Sequence, residues 1–340
     1  MTALPPVYFV AGLALSFYMA WNIGANDLAN SMGDVVGSRA LTMRQVIVLA
    51  AILNFLGATF FGSRVTKTVG GGIVPIQAID PHLVLIGCLS ALLAAALWIT
   101  IATYFSLPVS TSHSVVGAML GFGLGCALMK TISLGDISWF VMVKIVASWI
   151  LSPFGGMVMA FLIYKVMLHF LKKSDNVPKL ESGILRYLVI LSSSYQAFSF
   201  GSNDVANAIA PMATVLGFSG TEIPIWILTF GGIGIVVGLS TWGYRVIWTI
   251  GKKITDLTPS RGFSADVACA TTVLIFSSLG MPVSTTHTIV GAVIGVGLAR
   301  GFDAVNFGKV KQIVYSWLVT VPVVIALSFL LFIGLIALGI

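Results

Sequence analysis

Charge is the scarcest thing in this sequence. Lysine, arginine, aspartate and glutamate make up 9% of its 340 residues, where a soluble domain carries roughly a quarter. The deficit excludes a globular enzyme with an ordinary solvated surface. Cysteine is almost missing too. Cys88, Cys126 and Cys269 lie in apolar segments without C-x-x-C spacing, which excludes a disulfide framework and a zinc ribbon and leaves inert packing. The first 25 residues lack a basic n-region and a clear small-x-small cleavage site. That stretch reads as a retained transmembrane segment, not a signal peptide.

What fills the chain instead is hydrocarbon. Hydrophobic residues make up 58% of it, with a mean hydropathy of +1.03. Nearly uncharged runs occur at 6–25, 83–105, 184–201, 224–243 and 312–340. They are about 18 residues or longer, the length that crosses a hydrocarbon layer of about 30 Å. The fold class is an all-α polytopic membrane protein. The formal charge is +7. Because the basic residues are scattered through short loops, the charge reads as loop placement under the positive-inside rule and not as a nucleic-acid surface.

The chain also repeats itself. GANDLAN at 24–30 recurs as GSNDVAN at 201–207, and LPVSTSHSVVGAMLGFGLG at 107–125 recurs as MPVSTTHTIVGAVIGVGLA at 281–299. SWILSP at 148–153 faces SWLVTVP at 316–322. Residues 1–171 form a first transmembrane repeat and 184–340 a second, joined by the polar linker 172–183. Loop charge orients them. The linker (Lys172, Lys173, Lys179) and the 245–261 loop are the most basic and belong inside. The 210–223 loop has no basic residue and belongs outside, whereas its counterpart 31–45 carries Arg39 and Arg44 and belongs inside. Equivalent loops on opposite sides predict inverted-topology repeats. Residues 106–129 and 280–300 each combine a proline, a Ser/Thr/His cluster and an apolar run too short for a full crossing. They are predicted to be discontinuous helices in re-entrant hairpins, tolerated at depth only inside protein or beside a wet cavity.

Two motifs carry chemistry, and each is present twice. Asp27 and Asp204 end apolar runs at equivalent places. An ionisable group within a span is costly and marks a substrate or ion path. The plainer alternative, an interfacial helix cap, gives no reason for duplicating Gly-x-Asn-Asp-x-Ala-Asn around it. On a helix, Asn26 and Asn30 lie on one face beside Asp27, as do Asn203 and Asn207 beside Asp204. A carboxylate and two amide oxygens are hard donors that suit sodium, whereas a transition metal would ask for His or Cys. Proton carriage is the other use of the same carboxylates. In the second motif, Pro108 and Pro282 cannot continue a preceding helix. Ser110, Thr111 and Ser112, like Ser284, Thr285 and Thr286, then sit where a helix begins, at free N–H groups and a positive dipole end. Hydroxyls and N–H groups together make an anion cradle from neutral parts. A buried carboxylate repels an anion unless cations lie between them, and each ligand then requires the other. The expected function is a cation-coupled anion transporter whose site is shared between the halves.

These paired motifs resemble those of the inorganic phosphate transporter (PiT) family, and the resemblance spans nearly the whole chain. It implies an inverted-repeat transporter, commonly a homodimer, that moves phosphate with sodium or protons, here across a plasma (inner) membrane. It implies no enzymatic activity and no cofactor. By motif, Asn26, Asp27, Asn203, Asp204 and the two Ser/Thr triplets would line the site. The short linker is similar to that of prokaryotic members. Leu28 and Ser31 stand against Val205 and Ala208 in the second copy, which are mild departures. The family also includes sulfate permeases. Phosphate is favoured because its P–OH groups can donate to Asp27 and Asp204, while sulfate has none to give.

His113 and His287 close the second motif. A cationic imidazole at a helix N-terminus opposes the dipole, so both are expected to be hydrogen-bonded in the first turn, steadying the tip. Asp34, Asp80 and Asp266 are expected to be loop or cap residues. An intramembrane hydrolase fits poorly, since a catalytic triad needs one asymmetric arrangement and everything here is duplicated. A passive anion channel would have no use for carboxylates in its path.

Overall fold

The computed structural model describes residues 6–218, 222–245 and 258–340. Lys252 and Lys253, expected to lie inside, fall outside the described residues. Every regular element among the described residues is helical. The first half runs α1 (Pro6–Gly37), α2 (Met43–Phe61), α3 (Ser63–Gly71), α4 (Pro81–Tyr104), α5 (Thr111–Leu128) and α6 (Trp139–Leu171). After the short α7 (Val177–Ser182) in the linker come α8 (Ile184–Val215), α9 (Ile225–Thr241), α10 (Pro259–Ser278), α11 (Thr285–Arg300) and α12 (Phe307–Ala337). Helices α1, α2, α4, α5, α6 and α12 are each long and apolar enough to cross a bilayer. Large apolar side chains such as Phe140, Ile150, Phe154, Leu318 and Leu330 point outward, as lipid-facing residues do.

Two helices overrun their expected spans. Both α1 and α8 are 32 residues long and pass straight through the Asn-Asp motif, so the first loop shrinks to 38–42. Asn and Asp are poor in helix interiors because their side chains compete for nearby backbone. Here those side chains are drawn to other elements and the helix continues. The helix ends carry the repeat at backbone level. Ser106 (φ 55) and Arg39 (φ 59) hold the left-handed conformation where the second copy has Gly280 (φ 71) and Gly217 (φ 83). Each closes a Schellman motif. The Leu107 N–H reaches the Ala102 carbonyl at 2.9 Å, as that of Met281 reaches Phe276 at 3.0 Å.

The halves are interleaved. Helix α1 packs on α9 and α8 on α2, while α6 packs on α11 and α12 on α5. Each contact has its counterpart with the halves exchanged. The motif glycines make the first pair possible. A Cβ on Gly24 would lie 2.0 Å from the Ile235 carbonyl oxygen of α9, and one on Gly201 would lie 2.1 Å from that of Asn54 on α2. With no hydrophobic drive between helices in lipid, such close approach supplies the dispersion contacts that hold them. Helices α1 and α8 run antiparallel. Arg186 near the start of α8 donates twice to the Ala40 carbonyl just past the end of α1, at 3.1 and 2.9 Å, and Gly12 early in α1 lies against Met212 late in α8.

Candidate functional site

The first asparagine of each motif holds a chain break. Asn26 Nδ2 donates to Thr103 Oγ1 (2.9 Å) and to the Leu107 carbonyl (3.2 Å), and its Oδ1 accepts the Val109 N–H (3.3 Å). Asn203 Nδ2 donates to the Val283 carbonyl (3.0 Å) and to Asp204 Oδ1 (2.8 Å). Its Oδ1 accepts the Ser277 hydroxyl (3.2 Å) and the Val283 N–H (3.4 Å). These bonds satisfy backbone groups that the breaks between α4 and α5, and between α10 and α11, leave without helical partners. Of the six residues predicted to hold cations, Asn26 and Asn203 therefore turn their amides to the breaks.

The other four meet the hydroxyl tips at the centre. Asp27 Oδ1 accepts from Asn30 Nδ2 at 2.7 Å and Oδ2 from the Thr111 hydroxyl at 3.3 Å. Asp204 Oδ2 accepts from the Thr285 hydroxyl at 3.2 Å. Contacts then cross between halves. Asn30 Nδ2 donates to Thr286 Oγ1 at 2.8 Å, and Asn207 Nδ2 to Ser112 Oγ at 3.1 Å. The Thr286 hydroxyl donates to the Val109 carbonyl (3.1 Å) and the Ser112 hydroxyl to the Val283 carbonyl (2.8 Å), so each tip is tied to the other. All of these side chains are buried; Asp27 is 6% exposed and Asp204 2%. The two carboxylates repel one another. Beside them, Asn30 Oδ1 and Asn207 Oδ1 are buried and have no hydrogen-bond partner among the described residues.

The first hydroxyl of each triplet has a different task. Ser110 Oγ accepts the His113 N–H and Ser284 Oγ the His287 N–H, both at 3.1 Å. Each is an N-cap, worth about 1 kcal/mol to its helix. Thr111 and Ser112, and Thr285 and Thr286, are thereby aimed at the centre. The histidine rings differ from expectation. Only their backbone N–H groups bond within the first turn. The rings pack on each other with centroids 4.3 Å apart, His113 against Trp149 at 3.7 Å and His287 against Trp317 at 3.5 Å. His113 Nδ1 and His287 Nε2 have no hydrogen-bond partner among the described residues. They steady the two tips by packing.

Asp34 and Asp266 are a correction. Neither is a loop or cap residue. Both are buried within helices, on α1 and α10, and share the Ser193 hydroxyl at 3.3 and 2.6 Å, with Ser192 adding a bond to Asp266 at 2.9 Å. For Asp34 the error came from ending the first helix too early. Asp80 does cap α4, accepting the His82 N–H at 2.8 Å. Thr103, Ser277, Trp149 and Trp317 were not picked out in advance. The duplicated Ser-Trp pair at 148 and 316 was the available signal for the tryptophans.

Comparison with known proteins fits this geometry. Residues 23–328 match the phosphate transporter family. The chain is 40% identical to a protein of Pyrococcus horikoshii named as a candidate phosphate permease, over 98% of each chain. It is 38% identical to the chloroplastic inorganic phosphate transporter 2-1 of Arabidopsis thaliana, over 92% of this chain and 70% of that one. Among solved structures it is similar to a sodium-dependent phosphate transporter, with a TM-score of 0.88, 38% identity and coverage of 97% of this chain and 99% of the other. This protein therefore belongs to the phosphate transporter family, as a multi-pass membrane protein and not an enzyme.

Proposed function

We propose that this protein is a secondary active transporter that imports inorganic phosphate together with sodium. It works as a homodimer in the plasma membrane, through a site between two inverted repeats. One observation carries the reading: the amide oxygens of Asn30 and Asn207, buried without hydrogen-bond partners among the described residues, lie on the same helices as Asp27 and Asp204 and within one turn of them. Carboxylate and amide oxygens are what an alkali cation takes, and a proton has no use for the amides. Asp27 with Asn30 and Asp204 with Asn207 are the sodium ligands on this reading. Thr111, Ser112, Thr285 and Thr286 hold the phosphate at the positive ends of α5 and α11. The antiparallel run of α1 and α8 supports the inversion.

Charge explains the coupling. Like charges about 4 Å apart repel by about 4 kcal/mol at an effective dielectric near 20. Phosphate therefore enters a centre with two carboxylates only when cations accompany it, and sodium gains an anionic partner from phosphate in return. The test is uptake into proteoliposomes with sodium and pH gradients imposed separately. The expected result is accumulation driven by sodium at fixed pH. Accumulation driven by a pH gradient without sodium would replace sodium with protons. Equal displacement of labelled phosphate by excess sulfate and by phosphate would overturn the choice of anion.

A further inference from the structure

Helices α6 and α12 hold equivalent places in the two halves and carry the same Ser-Trp pair, at 148–149 and 316–317. Each packs along the helix that begins at the other half's chain break, α6 on α11 and α12 on α5. Far from the breaks the two seams match. A Cβ on Gly295 would lie 2.1 Å from the Met157 carbonyl oxygen, and one on Gly121 would lie 2.4 Å from that of Ile325. One turn nearer the tips they differ. The distance is still 2.1 Å from Gly291 to Pro153, but 3.3 Å from Gly117 to Val321. At the breaks the difference reaches the hydrogen bonds. Ser148 Oγ lies 2.7 Å from the Ile145 carbonyl oxygen and 2.9 Å from that of Pro282, which ties α6 to the opposite break. Among the described residues Ser316 Oγ bonds only to Ile313 of its own helix, at 2.6 Å, and not to Pro108. The His287 ring hydrogen-bonds the Trp149 backbone, whereas His113 Nδ1 has no partner among the described residues. Ser148 is fully buried and Ser316 partly exposed.

The two seams look to opposite sides. Helix α6 ends at the linker, and α11 runs parallel to it, since Gly291 and Gly295 meet Pro153 and Met157 in the same order. Helix α11 therefore ends on the linker face and α12 starts there. Ser316, near the start of α12, lies toward the linker face. Ser148, near the start of α6, lies toward the far face. The far-side seam is drawn tight and the linker-side seam is loose. Both carry the same serine, proline, histidine and glycine, so the same bonds are open to both, and one alone has made them. Two equivalent packings of unequal tightness, one facing each side, are what rocking of one repeat against the other about a fixed centre requires.

We propose that Ser148 with Pro282, and Ser316 with Pro108, are the two latches of an alternating gate, made in turn as the central site faces one side and then the other. The inference rests on the transport activity proposed above. In the second state α12 closes on α5 at the spacing now held by α6 and α11, Ser316 reaches the Pro108 carbonyl, and the bond from Ser148 to Pro282 breaks. Gly117→Ala separates the two states. As the seam stands, the added methyl asks a few tenths of an ångström of Val321; at the closed spacing it would run into the carbonyl. The reporter is Ser148→Cys, labelled from the far side by a charged, membrane-impermeant thiol reagent. Sodium and phosphate are left out, so the result does not depend on which ions are carried. Cys88, Cys126 and Cys269 are buried, and the parent without the reporter gives their background. Adding Gly117→Ala should slow labelling at S148C about tenfold, through overpacking of the closed linker-side seam. Adding Ser316→Ala should slow it about two- to fivefold, because that hydroxyl exchanges one bond for another. An S316C reporter labelled from the linker side should keep its rate beside Gly117→Ala. A variant that merely unfolded would label faster at S148C. Labelling at S148C that is unchanged or faster in either variant, a reporter never reached from the far side in the parent, or loss of linker-side labelling at S316C overturns the inference. Failure of sodium-driven phosphate uptake with the labelling pattern intact would keep the gate and change its cargo.

Discussion

Replacing Asp27 by Asn changes the charge at the centre and almost nothing else. The side chain keeps its shape and one oxygen, which can still accept from Asn30 Nδ2, now at 2.7 Å. Thr111 Oγ1, which now donates to Oδ2 at 3.3 Å, can instead accept from the new amide. What goes is the attraction for a cation. At about 4 Å and an effective dielectric near 20 that attraction is about 4 kcal/mol. Part is returned because Asp204 no longer repels Asp27. A net loss of about 2–3 kcal/mol remains, or roughly 30- to 150-fold in the sodium concentration that half-saturates phosphate binding. The assay is binding of labelled phosphate to purified protein across a sodium series. A second readout has the opposite sign. In sodium-free buffer the variant should melt at a higher temperature than the parent, since an uncompensated buried charge has been removed. A sodium dependence within threefold of the parent would refute the reasoning, whatever happens to the transport rate.

Three further outcomes follow from named contacts. Asn207→Ala removes the unpartnered Oδ1 together with the donor to Ser112, and should raise half-saturating sodium about tenfold, by the same assay. Gly201→Ala puts a Cβ 2.1 Å from the Asn54 carbonyl oxygen, where neither backbone can yield cheaply. It should cost about 2–3 kcal/mol by overpacking and lower the melting temperature, while Gly135→Ala, which meets only Ser133 Oγ at 3.6 Å, should not. Asp34→Asn keeps a hydrogen-bonding partner for Ser193 and removes one of two carboxylates that share its hydroxyl. The variant should melt at or above the parent's temperature and leave half-saturating sodium unchanged.

The all-helical membrane character and the motif pair were legible in the sequence, the first from the scarcity of charge and the second because duplication prints the same local solution twice. The helix–break–helix at Pro108 and Pro282 could be read from proline chemistry alone. The extent of α1 and α8 could not. Asn26, Asp27 and Asn30 are poor helix formers, and contacts with residues such as Thr103 and Thr286, 77 and 256 positions away, occupy side chains that would otherwise compete for backbone. The same error placed Asp34 in a loop. The division of labour within each motif was hidden for a related reason. Spacing puts Asn26 and Asn30 on one face, but it does not say that the first will be claimed by a broken backbone and the second left with an open oxygen. Interleaving was equally invisible. Gly24 looks like a motif residue in sequence, and only the approach of α9 shows that it is a packing contact with the other half.

Interleaving also bears on why the site is a coupled one on the proposed reading. A hydroxyl has one proton to give. Those of Thr111 and Thr285 now go to Asp27 and Asp204, and those of Ser112 and Thr286 to the carbonyls of Val283 and Val109. In this arrangement the cradle presents lone pairs and carboxylates to its centre, which repels an anion. A sodium ion that takes a carboxylate oxygen from Thr111 or Thr285 frees that hydroxyl to turn and donate. The amide beside each carboxylate holds a hydroxyl of the opposite half, Asn30 that of Thr286 and Asn207 that of Ser112. Cation binding on one helix is therefore felt at both tips. On the proposed reading, two symmetric cation positions thus convert the centre from repelling phosphate to hydrogen-bonding it, with no charged donor required, which is why the described residues at the site need no lysine or arginine among them.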